Sequence, residues 1–244
     1  NQRAEELLRG ILQRVPRLEA TAPWSCKREN VDPSQLPHLR YVDVLAWPGD
    51  YVGSPQTTLA QSLPNDEWIT QNLGATNMVF VNTTRVVMES TERLRPDEFL
   101  TRDEADLVRS HLFDGYQTFA AMHEIGHSTG RMDEAHSIGQ PRDYFEDEYS
   151  SLEETRAELF GLWAFRALTE DAVVSPILAR AAYDSMLLII LRDLRFEPDQ
   201  AHTRARNAIY HDWDAKGVVR QAQEGGKRRF VLDHERAHAA VADM

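Results

Sequence analysis

The sequence has 244 residues, 42% of them hydrophobic and 27% charged; 27 lysine and arginine side chains face 39 aspartates and glutamates, for a formal charge of -12. That length suits one large domain or two small ones, and a single cysteine, Cys26, excludes both a disulfide scaffold and a cysteine-built zinc cluster. The acidic balance argues against a nucleic-acid partner, which needs a basic stripe, and the longest apolar run, Met186–Leu191, falls far short of the roughly 18 residues of a membrane span.

No internal repeat or low-complexity tract is visible. Asn1–Glu6 carry acid and no apolar stretch, so a signal peptide is not expected and a cytoplasmic protein is. The missing initiator Met suggests excision from something longer. Leu7, Leu8, Ile11 and Leu12 recur at helical spacing and predict a helix over residues 3–14. From Ala20 to Asp66 prolines at 23, 33, 37, 48, 55 and 64 punctuate the chain around a strand-like stretch, Tyr41–Leu45. Asn77–Val81 is a second expected strand, with Val86–Met88 as a possible continuation in the same style. Beyond Pro96 the pattern turns helical, with helices expected at 101–113 and 115–128, the second capped by Gly130. Residues 132–150, rich in Asp, Glu, Gly and Pro, read as a solvated acidic loop. Helices at about 151–168, 175–194 and 199–216 follow, then a turn at Gly225-Gly226, a strand at Arg229–Leu232 and a last helix from Asp233. The fold class is therefore mainly α with a small strand-bearing N-terminal part (α+β), divided as 1–98 (helix plus strands) and 99–244 (helical).

The chemistry sits in Phe119-Ala120-Ala121-Met122-His123-Glu124-Ile125-Gly126-His127. Histidines at i and i+4 share one helix face, so both imidazoles reach one cation, and the glutamate between them can take a proton from a metal-bound water. A catalytic zinc needs a third protein ligand and an open position. Two residues compete for it. Glu154, 27 residues after His127 in Ser151-Leu152-Glu153-Glu154-Thr155-Arg156-Ala157-Glu158, would come from a second helix; Asp133 would complete a His-x-x-Gly-x-x-Asp pattern of the metzincin kind. Glu154 is the favoured ligand.

These residues resemble the paired signatures of the dipeptidyl peptidase III family of zinc peptidases: His123-Glu124-Ile125-Gly126-His127, then Glu153-Glu154-Thr155-Arg156-Ala157-Glu158. Leu63-Pro64-Asn65-Asp66-Glu67, Arg195-Phe196 with Ala201-His202 and Asn207, and Gly226 through Val241 are similar to further family segments, so the likeness spreads over roughly residues 40–244. Well-known animal members carry one more residue between their histidines, and a complete family enzyme is longer, with two lobes around a cleft. The resemblance implies a gluzincin-like helical zinc domain in which His123, His127 and Glu154 bind Zn2+. It makes Glu124 the general base and proton donor to the leaving amine, and His202 the group that stabilises the tetrahedral intermediate. Glu153 and Glu158 are the candidates to accept the remaining N–H of the zinc-bound imidazoles. The implied activity is a dipeptidyl-peptidase acting on short peptides, with peptide as the partner and neither nucleic acid nor membrane. A non-catalytic zinc module and an antirestriction-type or metzincin-like metalloprotease are the alternatives. Histidines 38, 111, 136, 211, 234 and 238 are expected at the surface, tryptophans 24, 47, 68, 163 and 213 in core or cleft wall, and Asn82-Thr83-Thr84 is read as a chance glycosylation sequon.

Overall fold

The computed structural model describes residues 2–24, 38–46, 58–63, 69, 73, 76–90, 95–129, 141–195 and 199–244. Asp133, Gly130, Pro64–Glu67, Phe196, His136, Cys26, Trp47 and Trp68 lie outside them. The described chain is mainly helical. It runs α1 (Gln2–Leu12), α2 (Val15–Thr21), β1 (His38–Val42), β2 (Ala60–Leu63), β3 (Thr76–Phe80), α3 (Val81–Glu89), α4 (Pro96–Phe99) and α5 (Arg102–Gly126). There follow α6 (Pro141–Phe145), a 3-10 turn, α7 (Tyr149–Glu170), α8 (Pro176–Asp193), α9 (Ala201–Ala215), the hairpin β4 (Val219–Glu224) and β5 (Lys227–Leu232), and α10 (His234–Asp243).

Helix α8 explains the apolar run. Met186 through Leu191 are all buried, because this half of the helix packs against α5, α7 and α9. Its start is fixed by Pro176, whose missing N–H costs nothing in the first turn, and by Ser175, whose side chain accepts from Leu178 N at 3.3 Å. Asp233 caps α10 in the same way, accepting from Arg236 N at 3.2 Å. The hairpin turns on Gly225 and Gly226, at φ +58° and +74°, values that favour glycine in a two-residue turn.

The small sheet has β3 in the centre, parallel to β1 and antiparallel to β2, and it packs on α5. Buried Asn77 of β3 makes the join: its Nδ2 donates to the main-chain oxygen of Glu124 at 2.8 Å, while its Oδ1 accepts from Ser62 Oγ of β2 at 2.8 Å. One hydrophobic cluster runs from Leu8 to Val241.

Four local expectations change. The helix expected over residues 3–14 is α1 and ends at Leu12, because Pro16 has no N–H to continue its ladder, and an unexpected second helix, α2, follows. Val86–Met88 is helical, in α3: Thr84, Val87 and Met88 point inward while Val86 is 69% exposed, so packing overrides the strand preference of valine. The two helices either side of Asp114 are one continuous α5. Gly115 does not break it, and serves close packing instead, since a Cβ there would lie 3.2 Å from Ala182 N of α8. Residues 141–148 are helical in place of an open loop. Among the described histidines expected at the surface, His234 is drawn inward to Asp184, Nε2 to Oδ1 at 2.9 Å, and His238 is half-buried beside Tyr183. Asn82 of the sequon is used by the main chain, pairing both ways with Val44.

Helices α7, α8 and α9 are cross-linked by Arg206, which donates to Glu158 at 2.9 Å and to Asp193 at 2.7 Å. Glu158 is fully buried. Burial alone would push its carboxyl up, but Arg206 holds it below the ordinary range; Asp193 is likewise held low against burial, by Arg192 and Arg206. Both depressed carboxyls contribute stability that is complete above their unfolded-chain values, near 4, and drains away as pH falls through the lower folded values. Arg206→Met leaves buried Glu158 without its guanidinium and Asp193 with Arg192 alone, and is expected to cost about 3–5 kcal/mol in urea unfolding at neutral pH. The loss should shrink at pH 3, where both carboxyls of the unfolded chain are protonated.

Candidate metal centre

The last turn of α5 presents His123 and Glu124, and His127 caps it. The second turn of α7 presents Glu153 and Glu154, and the first turn of α9 presents His202. The α5–α7 crossing is tight. A Cβ on Gly126 would meet Ala157 Cα and O at 3.0 Å, and one on Gly161 would meet His123 N at 3.2 Å. Two glycines, one on each helix, therefore let the backbones approach until the side chains of both face one point.

That point is bounded by three donor atoms. His123 Nε2 and His127 Nε2 are 3.1 Å apart, and Glu154 Oε2 lies 3.2 Å from the first and 3.5 Å from the second. Bonds of about 2.0–2.1 Å to one tetrahedral ion imply donor separations of about 3.3–3.4 Å. The observed triangle matches. Glu154 Oε2 is also buried without a hydrogen-bond partner, which a cation would supply. Two imidazoles and a carboxylate are a donor set suited to zinc and other first-row divalent ions. Among the described residues these three form the one group of His, Cys, Asp or Glu side chains able to hold an ion together.

The charge pattern agrees with the geometry. Burial favours neutral Glu154, but the imidazoles of His123 and His127 outweigh it and hold its carboxyl far below the usual range. Burial pulls the His127 imidazole down, yet Glu153 and Glu154 outweigh it and lift its pKa to about 10 in the ion-free chain. Two carboxylates thus draw a proton onto this ring where an ion would otherwise supply the positive charge. Glu124, 5% exposed, is raised above the ordinary carboxylate range by burial, with His123 and His127 pulling the other way.

Each residue expected at the site can now be placed. Glu153 Oε1 faces His127 Nδ1 at 3.1 Å. Burial would raise Glu153, but Arg156 and His127 bring it to about 2. Glu158 pairs with Arg206, and its second oxygen and His123 Nδ1 are both buried without a hydrogen-bond partner. His202, 47% exposed, sets Nδ1 3.2 Å from Glu154 Oε2 and 3.7 Å from Glu158 Oε1, its ring 5.6 Å from that of His123. Three contributors escaped the sequence reading. Asn77 gives no local sign of its reach to Glu124. Arg206 is signalled by its place one turn after His202, and Arg156 by its i,i+3 relation to Glu153.

Comparison with known proteins bears on the whole arrangement. The structure superposes on dipeptidyl-peptidase III from Caldithrix abyssi with a TM-score of 0.78 at 23% identity, covering 98% of this chain and 45% of that one. On dipeptidyl-peptidase III from Corallococcus sp. strain EGB the TM-score is 0.79 at 21% identity, covering 100% of this chain and 44% of that one. The fold is that of dipeptidyl-peptidase III. No family model matches the sequence. One curated relative, Nudix hydrolase 3 of Arabidopsis thaliana, is 28% identical over 234 residues, 93% of this chain and 29% of that protein. The chain thus spans under half the length of the two solved structures and less than a third of the curated relative, most of which lies outside the match. No described helix is long and apolar enough to cross a membrane.

The glycine crossing is open to direct test. Gly126→Ala overpacks the contact with Ala157 and is expected to cost about 1–3 kcal/mol in thermal or urea unfolding. Gly225→Ala, where a side chain would meet nothing, carries only the backbone strain of a positive φ. A melt in which Gly126→Ala equals the parent would show that the crossing has slack.

Proposed function

We propose that the chain is the metal-binding part of a zinc-dependent peptidase of the dipeptidyl peptidase III type, acting on the N-terminus of short peptides, with the ion held by His123, His127 and Glu154. The observation that carries this reading is the triangle of donor atoms at 3.1, 3.2 and 3.5 Å, built from two helices and closed by an unpartnered carboxylate oxygen. The likeness in fold to two dipeptidyl-peptidase III structures supports it. When bound, the ion supplies Lewis-acid polarisation of the scissile carbonyl and acidifies water.

The chain's own residues do the rest. Glu124 accepts the proton of the attacking water and returns it to the leaving amine; its raised affinity for a proton, caused by burial, brings it closer to the working range of a general base. His202 stands over the same carboxylate as the two ligand imidazoles, with its ring half exposed, where a donated hydrogen bond can stabilise the developing oxyanion. Glu153 holds His127 by its Nδ1. Asn77 anchors the carbonyl of Glu124, fixing the backbone from which the base projects.

A second reading has its own observation. The chain spans under half of its structural neighbours, so a zinc module that lacks its own turnover, and works only beside further chain, is the alternative.

Elemental analysis and a dipeptidyl reporter assay on the 244-residue chain separate the cases. The parent is expected to hold about one zinc per chain. Glu124→Gln should keep that zinc while losing about 10²–10⁴ in turnover. His123→Ala and Glu154→Ala should lose metal and turnover together, and His202→Ala should keep metal and lose about 10²–10³ in kcat. Metal in the parent without hydrolysis would favour the module. Full metal content in Glu154→Ala would overturn the ligand set.

A further inference from the structure

We infer that Arg156 is a positioning residue for His127, acting through Glu153 and through the main chain that follows the histidine. The consequence for ion binding rests on the metal centre proposed above; the geometry does not.

The guanidinium of Arg156 makes two parallel bonds to Glu153, Nε to Oε2 at 2.9 Å and Nη2 to Oε1 at 2.7 Å. The same Oε1 faces His127 Nδ1 at 3.1 Å. With both oxygens gripped, the carboxylate cannot turn away from the ring. The remaining nitrogen, Nη1, donates to the main-chain oxygen of Thr129. Thr129 is buried two residues beyond His127, in the turn that ends α5, and its N and Oγ1 both bond back to Gly126 O. One side chain on α7 therefore holds the imidazole's hydrogen-bond partner and the backbone on which the imidazole sits.

The arrangement needs arginine. A lysine carries the same charge as a point with no fork, and cannot grip both oxygens of Glu153 while also reaching a carbonyl. With Nδ1 fixed on Glu153, Nε2 is the nitrogen turned toward His123 and Glu154. Loosening Arg156 frees the ring to sample orientations in which the three donor atoms no longer face one point.

The test compares the parent with Arg156→Lys and Glu153→Gln on two readouts. The first is the exchange-protected Nδ1–H signal of His127 in the 15N-labelled, ion-free chain, which needs no metal. The second is zinc affinity by competition with a chelator. Arg156→Lys is expected to lose the protected signal and to weaken zinc binding about 10–100-fold, and adding Glu153→Gln to it should bring little further loss, since both act on one bond. An unchanged Nδ1–H signal with unchanged zinc affinity would overturn the inference, as would losses that multiply in the double variant. If Arg156→Lys does not fold, Glu153→Gln alone must lose the signal and at least tenfold in affinity, and parental values there overturn it. A parent that takes up no zinc would sink the metal centre, while the Nδ1–H comparison would still decide the role of Arg156.

Discussion

The close crossing of α5 and α7 is the constraint on which the site depends. Helices that met at an ordinary distance would hold His123 and His127 apart from Glu154 by the width of the intervening side chains. Gly126 against Ala157, and Gly161 against the backbone of His123, remove that width. The same crossing is loaded with charge. Two imidazoles, Glu124, Glu153, Glu154 and Glu158 are brought out of water into a small volume, an arrangement that is costly unless every charge finds a partner. Arg156 and Arg206 serve Glu153 and Glu158. Glu154 turns one oxygen toward the imidazoles of His123, His127 and His202 with no guanidinium beside it, and that oxygen closes the triangle.

Around the crossing the fold works as a frame. Helix α8, with its buried run Met186–Leu191, gives α5 and α7 a common surface, while α9 brings His202 and Arg206. The three-stranded sheet approaches from the other direction and is fastened to α5 by the Ser62–Asn77–Glu124 relay. A buried asparagine with both ends of its amide engaged is a rigid joint. The residue whose carbonyl it grips is the one proposed to move protons, so in that proposal the sheet steadies the base without contributing a reactive group.

The comparisons point to one fold and to two names. Dipeptidyl-peptidase III structures share the arrangement of elements across nearly the whole chain. Nudix hydrolase 3 shares sequence over a similar span, but that span is less than a third of its length. A name attached to a long protein describes what some part of it does, and the donor triangle is the feature by which this part can be judged.

Much of the helical scaffold and the motif histidines were legible in the sequence, since spacing along one helix fixes which side chains share a face. His123 and His127 needed no partner element to be found, and the strong periodicity of α7, α8 and α9 set their extents to within a few residues. Local pattern failed where a distant contact decides: α5 reads as two helices parted at Asp114 although it runs on unbroken with Gly115 packed against Ala182, and Val86–Met88 reads as strand until the buried face of α3 is known. The clamp of Arg156 on Glu153 and Thr129 and the reach of Asn77 to Glu124 belong to the same class. Each joins residues 15 or more positions apart or turns on which neighbour a side chain faces, and a linear pattern encodes neither, because such contacts exist only once the helices have packed.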